Sequence, residues 1–195
     1  MPRVSKEQAS KNHDVIEGAS ARLFREQGFK AVTVNELMSA AGLTHGGFYR
    51  HFESKDALAK VACQKAFDQS RARIGARIGQ APDRPAALRS LVDGYLSIER
   101  RDNLGDGCAA TAFASDISRE PAESPLRAAY IDGVKGLLDQ IGALSMADHS
   151  NERRDAAIVQ LSAMVGALLL ARATNGDELS EQFLSVVREH IVRAT

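Results

Sequence analysis

Apolar residues recur along this chain at intervals of three and four, and no stretch shows the strict alternation of a half-buried strand. Val15, Ile16, Ala19, Leu23 and Phe24 predict a first helix over residues 5–27, with Ser5 and Gln8 as a capping box, Gly28 as its end and Phe29 folded back on Phe24. Thr33-Val34-Asn35-Glu36 is a second capping box, with Val32 and Leu37 as its hydrophobic staple. Gly42 then closes that helix, with Leu43 as the apolar contact back to Met38. Thr44 is placed to cap a helix over 45–52, and Ser54 to cap a long one running to about Gln80, with Asp56 suiting its N-terminal dipole. Beyond Pro82 the pattern predicts helices at 85–99, 108–118, 125–144, 151–174 and 178–193, with a loop over 100–107 and a stop at Asn175-Gly176. Leu88, Leu91, Val92, Tyr95 and Ile98 share one side of the first of these. The expectation is an all-α chain of nine helices.

Two helices joined by a short glycine-containing turn, as over residues 33–52, have the spacing of a helix-turn-helix. Gly46 and Gly47 stand in the first turn of the second helix, where each costs about 1 kcal/mol of helix propensity relative to Ala. In return they leave the backbone open to close approach by a large surface. Thr44, His45, Tyr49, Arg50 and His51 surround them with polar and cationic groups, while Phe48 and Phe52 share the side turned inward. A DNA-reading element needs that division. An ordinary helical hairpin explains the Phe pair but not the glycines.

The stretch 156–171 is apolar on nearly every face, which predicts burial all round, against a partner as well as its own core. Ala163, Gly166 and Ala167 permit close helix approach. With Leu170, and with Phe183, Val187 and Ile191 of the last helix, they predict a four-helix interface with a second copy. A homodimer would set two recognition elements about 34 Å apart, in successive major grooves of a palindrome.

Charge changes the picture little: 25 Lys and Arg balance 25 Asp and Glu. Residues 1–60 carry nine cations against seven anions, plus three of the five histidines, so any basic surface arises from arrangement. Arg3, Lys6 and Lys11 can add phosphate contacts there. Two cysteines, Cys63 and Cys108, fit a reducing compartment, no leader pattern is visible, and the apolar stretch is shorter than the roughly 20 residues that span a bilayer. The expectation is a cytoplasmic protein without membrane association. Nucleotide, hydrolase and metal motifs are missing, which argues against an enzyme and for no cofactor and no metal. Cys108, at a predicted helix start, is the one candidate nucleophile; a redox or electrophile sensor is the alternative it raises.

The run from Gly28 to Leu58, GFKAVTVNELMSAAGLTHGGFYRHFESKDAL, resembles the signature of the TetR/AcrR family of bacterial transcriptional regulators. The resemblance is specific over about residues 5–64. It implies a three-helix helix-turn-helix DNA-binding head over residues 1–53 and a six-helix ligand-binding and dimerisation body over 54–195. The implied partners are a double-stranded DNA operator, a second copy of the chain and an unknown small-molecule effector, and the usual action is repression. By position, Thr33 and Tyr49 resemble the family's phosphate-contacting residues, and Lys55 its lysine at the head of the linking helix. Thr44, His45, Gly46 and Gly47 occupy the base-facing turn, with Arg50 and His51 near the backbone. His45 stands where many members carry Lys or Arg. The body matches less specifically; Tyr95, Cys108, Phe113, Asp116, Tyr130 and Met164 are the candidate pocket lining. A ligand-binding protein that does not bind DNA is the remaining alternative.

Overall fold

In the computed structural model the described residues are 6–193; the expected Ser5 cap, Arg3 and the Lys6 side chain lie outside them. Among the described residues the chain is all-helical. The head comprises α1 (Lys6–Gln27), α2 (Val34–Ala40) and a 3₁₀ helix (His45–Arg50). The long α3 (Lys55–Gln80) leads into α4 (Arg84–Tyr95), α5 (Ile98–Asp102), α6 (Ala109–Ile117), α7 (Pro125–Gly142), α8 (Ser150–Ala173) and α9 (Glu178–Arg193).

Helix α1 ends where its sequence says it should. Gly28 takes φ 82° and donates to the Phe24 carbonyl at 2.8 Å, and the Phe29 ring returns to within 5.0 Å of Phe24. Ile16, Phe24, Val32, Leu37, Met38, Phe48 and Phe52 close the head's core. Helix α3 packs against α1, α4 and α7, so one helix links the N-terminal helices to the rest of the bundle. Its inner face reads Leu58, Ala62, Cys63, Ala66 and Phe67, of which the small Ala62, Cys63 and Ala66 let the neighbouring helices approach. Gly133 of α7 lies directly on the Phe67 ring, where a Cβ would stand 2.3 Å away.

Two expectations are corrected. The segment 45–52 forms a 3₁₀ helix over His45–Arg50 instead of an α-helix. Two adjacent glycines and only six residues favour the tighter i→i+3 bonds, such as Gly47 N to Thr44 O at 3.0 Å and His51 N to Phe48 O at 2.9 Å. The helix expected over 85–99 stops at Tyr95, because the Ser97 hydroxyl accepts from Arg100 N at 3.1 Å and caps a new short helix, α5. Ile98 is thereby exposed instead of facing the core. Within the single chain helix α8 is buried on one side: Ala157, Leu161, Met164, Leu168 and Ala171 are buried, while Ile158, Val159, Leu169 and Leu170 are exposed, the face on which a partner was expected. By length and composition α8 alone among the described helices could cross a membrane, yet its inner stripe is packed within this bundle.

Candidate nucleic-acid interface

Helix α2 is fixed at both ends by local chemistry. The Thr33 amide donates to Glu36 Oε2 at 2.7 Å, and the Glu36 amide donates to Thr33 Oγ1 at 3.3 Å. The bond from the Thr33 amide, with that from its hydroxyl, holds the Glu36 carboxyl below its ordinary range; Lys55 contributes less. At the other end Gly42 adopts φ 69°, Leu43 N donates to Met38 O at 2.8 Å and Gly42 N to Ser39 O at 2.9 Å. These two bonds form a Schellman motif, which sets the angle at which the chain enters the recognition turn.

That turn seats Phe48 in the core and turns its neighbours outward. Tyr49 is 69% exposed and meets Phe48 edge-on at 5.2 Å, so its ring is aimed by the residue beneath it. Thr33, Thr44, His45, Gly46 and Arg50 are exposed, and Gly47, His51 and Lys55 are half-buried. Thr44 has the backbone of a cap but its hydroxyl makes no cap bond, which corrects its expected role: the 3₁₀ turn is closed by the Thr44 carbonyl. The Thr33 hydroxyl is engaged with Glu36. Lys55 donates to the Lys30 carbonyl at 3.4 Å, and Ser54 caps its helix through Ala57 N at 3.0 Å.

Nothing among the described residues requires glycine at 46 or 47. Neither has positive φ; a Cβ at Gly46 meets nothing within 4 Å, and one at Gly47 meets only Met38 Cε at 3.6 Å, an ordinary contact. The His51 ring lies 6.2 Å from His13, which itself stacks on Phe52 at 4.5 Å and pairs with Glu17 at 3.1 Å. Burial, then His13 and Arg50, push the His51 pKa below its ordinary value. The shift favours the neutral imidazole.

The six candidate pocket residues are not brought together. Tyr95 and Cys108 line one narrow pocket, and Tyr95 Oη shares a hydrogen bond with Thr111 Oγ1 at 2.9 Å. Phe113 is fully buried against Phe29 of the head, 4.5 Å away, and Asp116 Oδ2 accepts from the Phe29 amide at 2.9 Å. These two join the head to the body. Tyr130 donates to the Ala110 carbonyl at 2.9 Å and meets Phe67 edge-on, and Met164 sits in the core. Among the expected dimer residues, Ala167 and Ile191 are buried within their own bundle, Ala163, Gly166, Phe183 and Val187 are half-buried, and Leu170 is exposed. Burial pushes the Cys63 thiol up to about 12, which leaves it inert.

Residues 16–62, which contain this whole arrangement from α1 through the start of α3, match the model described as "Bacterial regulatory proteins, tetR family". That segment carries the TetR-family pattern. The chain is 28% identical over 182 residues to the HTH-type transcriptional repressor DhaR of Mycobacterium sp. (strain GP1), covering 89% of each chain. Identity to the HTH-type transcriptional regulator YerO of Bacillus subtilis (strain 168) is 49%, over 45 residues that make up 23% of this chain and 16% of YerO. The TetR fold extends through the body: a TetR-family regulator from Cytophaga hutchinsonii superposes with a TM-score of 0.81 at 17% identity, covering 98% of this chain and 96% of that one. Reduced NemR of E. coli superposes with a TM-score of 0.78 at 16% identity, covering 93% and 95%.

Proposed function

We propose that this protein is a TetR-family DNA-binding transcriptional repressor that binds a palindromic operator as a homodimer and is released by a small molecule. The observation that carries the reading is the recognition turn itself. It is held by a capping box and a Schellman motif, aims Tyr49 and Arg50 outward, and spends two glycines that no contact or backbone angle among the described residues demands. Close approach of an external surface gives those glycines a purpose. Thr44, His45, Gly46 and Gly47 then face bases, Tyr49, Arg50 and Thr33 face phosphates, and His51 and Lys55 support them from half-buried positions.

Dimerisation is supported by the exposed stripe on α8. Val159, Ala163, Gly166 and Leu170 fall on one helical face, and a Cβ at Gly166 would meet nothing within 4 Å. Such a stripe, left uncovered by α7 and α9, is the surface a second copy would bury. Ala167 and Ile191 act from behind it, as packing within the protomer. The repressor DhaR, alike along most of its length, supports the sign of regulation and a cytoplasmic setting. Neither alternative, a Cys108 sensor or a protein without DNA affinity, gains an observation of its own.

A gel-shift series with DNA flanking the protein's own gene tests the reading. Specific binding is expected, its logarithm falling linearly with the logarithm of salt concentration. Tyr49→Phe and Arg50→Ala should weaken it. Failure to bind any upstream segment specifically would sink the regulator reading.

A further inference from the structure

Three consecutive backbone carbonyls in the loop between α5 and α6 are held by three arginines from three different helices. Arg25 Nε of α1 donates to Gly105 O, Arg100 Nη1 of α5 to Asp106 O, and Arg73 Nη2 of α3 to Gly107 O at 3.4 Å. A fourth, Arg172 of α8, donates to the carbonyls of Arg100 and Arg101 at 3.0 and 3.1 Å. Arg77 of α3 lies flat on α4, its guanidinium occupying the space that a Cβ at Gly94 would take, and donates to Ser90 O at 3.4 Å. Among the described residues, every ion pair within 4.0 Å involves other cations than these five. Carbonyl partners satisfy N–H groups without cancelling charge. Arg25 is 4% exposed and its Nη1 has no hydrogen-bond partner among the described residues. Burial, reinforced by the neighbouring arginines, pushes Arg25 down to about 10 and lowers Arg73 and Arg172 as well.

Asp106 offsets the charge of Arg25 and Arg73 in part but forms no ion pair within 4.0 Å with either, and a cavity opens onto the cluster. Arg73, Arg77 and Arg100 line a cleft of about 460 Å³ with Ser97 and Asn103; Glu99 and Asp106 are the carboxylates at its wall. The same three arginines line a narrower pocket of about 40 Å³, whose other walls include Ile74, Leu91, Tyr95 and Cys108. The cleft falls in the range of about 300–1,000 Å³ typical of small-molecule sites. We infer that Arg73, Arg77 and Arg100 form a binding site for a small organic anion, a carboxylate or phosphate monoester whose apolar part faces Ile74, Leu91 and Tyr95, and that its occupation loosens the loop at Gly105–Gly107.

The coupling rests on the regulator reading above, and its origin is competition for the same donors. The guanidiniums of Arg73 and Arg100 that face the cleft also hold the carbonyls of Gly107 and Asp106. An anion offers them bonds in which both partners are charged, where the carbonyls offer only a neutral acceptor. Once the loop loses those two anchors, Gly105 is a less fixed footing for Arg25, which belongs to the DNA-binding head. Anion binding in the body is thereby felt by α1, one of the two helices that brace the recognition turn.

Calorimetric titration of the full chain, without DNA, tests the site with hexanoate and phenyl phosphate against neutral hexanamide. Binding of at least one anion is expected, with hexanamide at least about tenfold weaker. Arg73→Gln and Arg100→Gln should each weaken the anion about tenfold or more, and so should Arg77→Gln, which touches no loop carbonyl and serves if the others fail to fold. Equal binding of hexanamide, undiminished binding by folded variants, or no binding of either anion up to about 10 mM overturns the site. Amide hydrogen exchange at residues 103–107 should accelerate with the anion bound; unchanged exchange overturns the coupling. Because both measurements omit DNA, their outcome is separate from that of the operator gel-shift.

Discussion

Gly28 lies so close to Asp116 that a Cβ on it would stand 2.7 Å from Asp116 Oδ2, the oxygen that accepts from the Phe29 amide. Head and body therefore meet through a glycine in the left-handed region, at φ 82°, and one carboxylate. Gly28→Ala should cost about 1–2 kcal/mol for the left-handed backbone and more for swinging Asp116 off its partner. Asp116→Ala, which leaves a half-buried amide unpaired, should cost about 1–3 kcal/mol. Urea unfolding is the check: a midpoint equal to wild type in both variants would mean that the junction contributes nothing.

Gly46→Ala separates folding from function. The position is open and has negative φ, so the substitution should leave stability unchanged or raise it by up to about 1 kcal/mol. Operator affinity should fall by at least about tenfold, because the methyl group stands where the groove must approach. A stable variant that binds the operator like wild type would remove the purpose assigned to the glycine.

The features that were legible in the sequence are those closed by a few neighbouring residues. Thr33 and Glu36, Gly42 with Leu43, Gly28 with Phe29, and Ser54 each satisfy backbone groups within three to five positions, and the structure contains every one. The 3₁₀ form of His45–Arg50 and the split at Ser97 turn on a competition between two local bonding patterns that periodicity does not weigh. The arginine cluster lay beyond reach for another reason. Arg25 and Gly105 are 80 positions apart and Arg172 and Arg100 are 72, so only the packing of α1, α3 and α8 assembles it. Phe113 and Asp116 read as pocket lining because an apolar ring and a carboxylate suit a ligand as well as a domain junction; the position of Phe29 decides between them.

Protonation of His51 should destabilise the head. Its pKa lies below the ordinary 6.5, through burial first and then through His13 and Arg50, so the unfolded chain binds more protons in the interval between the two values. Stability from this group is therefore present above pH 6.5 and is lost as pH falls toward the lower folded value. Glu17, paired with His13, is the acidic group facing this pair. Urea midpoints measured from neutral to mildly acidic pH should fall more steeply for wild type than for His51→Gln. Parallel profiles would exclude His51 as the source.

A charge on the α8 stripe should separate the protomers without unfolding them. Val159 is 67% exposed, so Val159→Asp removes little packing inside the bundle and should change protomer stability by less than about 0.5 kcal/mol. In a dimer that buries this stripe, the carboxylate would lose its hydration without gaining a partner. Sedimentation should then give a monomer, and operator binding should weaken because each half-site is held singly. Ala167→Asp is the contrasting variant: Ala167 is buried within its own bundle, so a charge there should unfold the protomer instead. A Val159→Asp protein that sediments like wild type as a dimer would move the interface away from this face of α8.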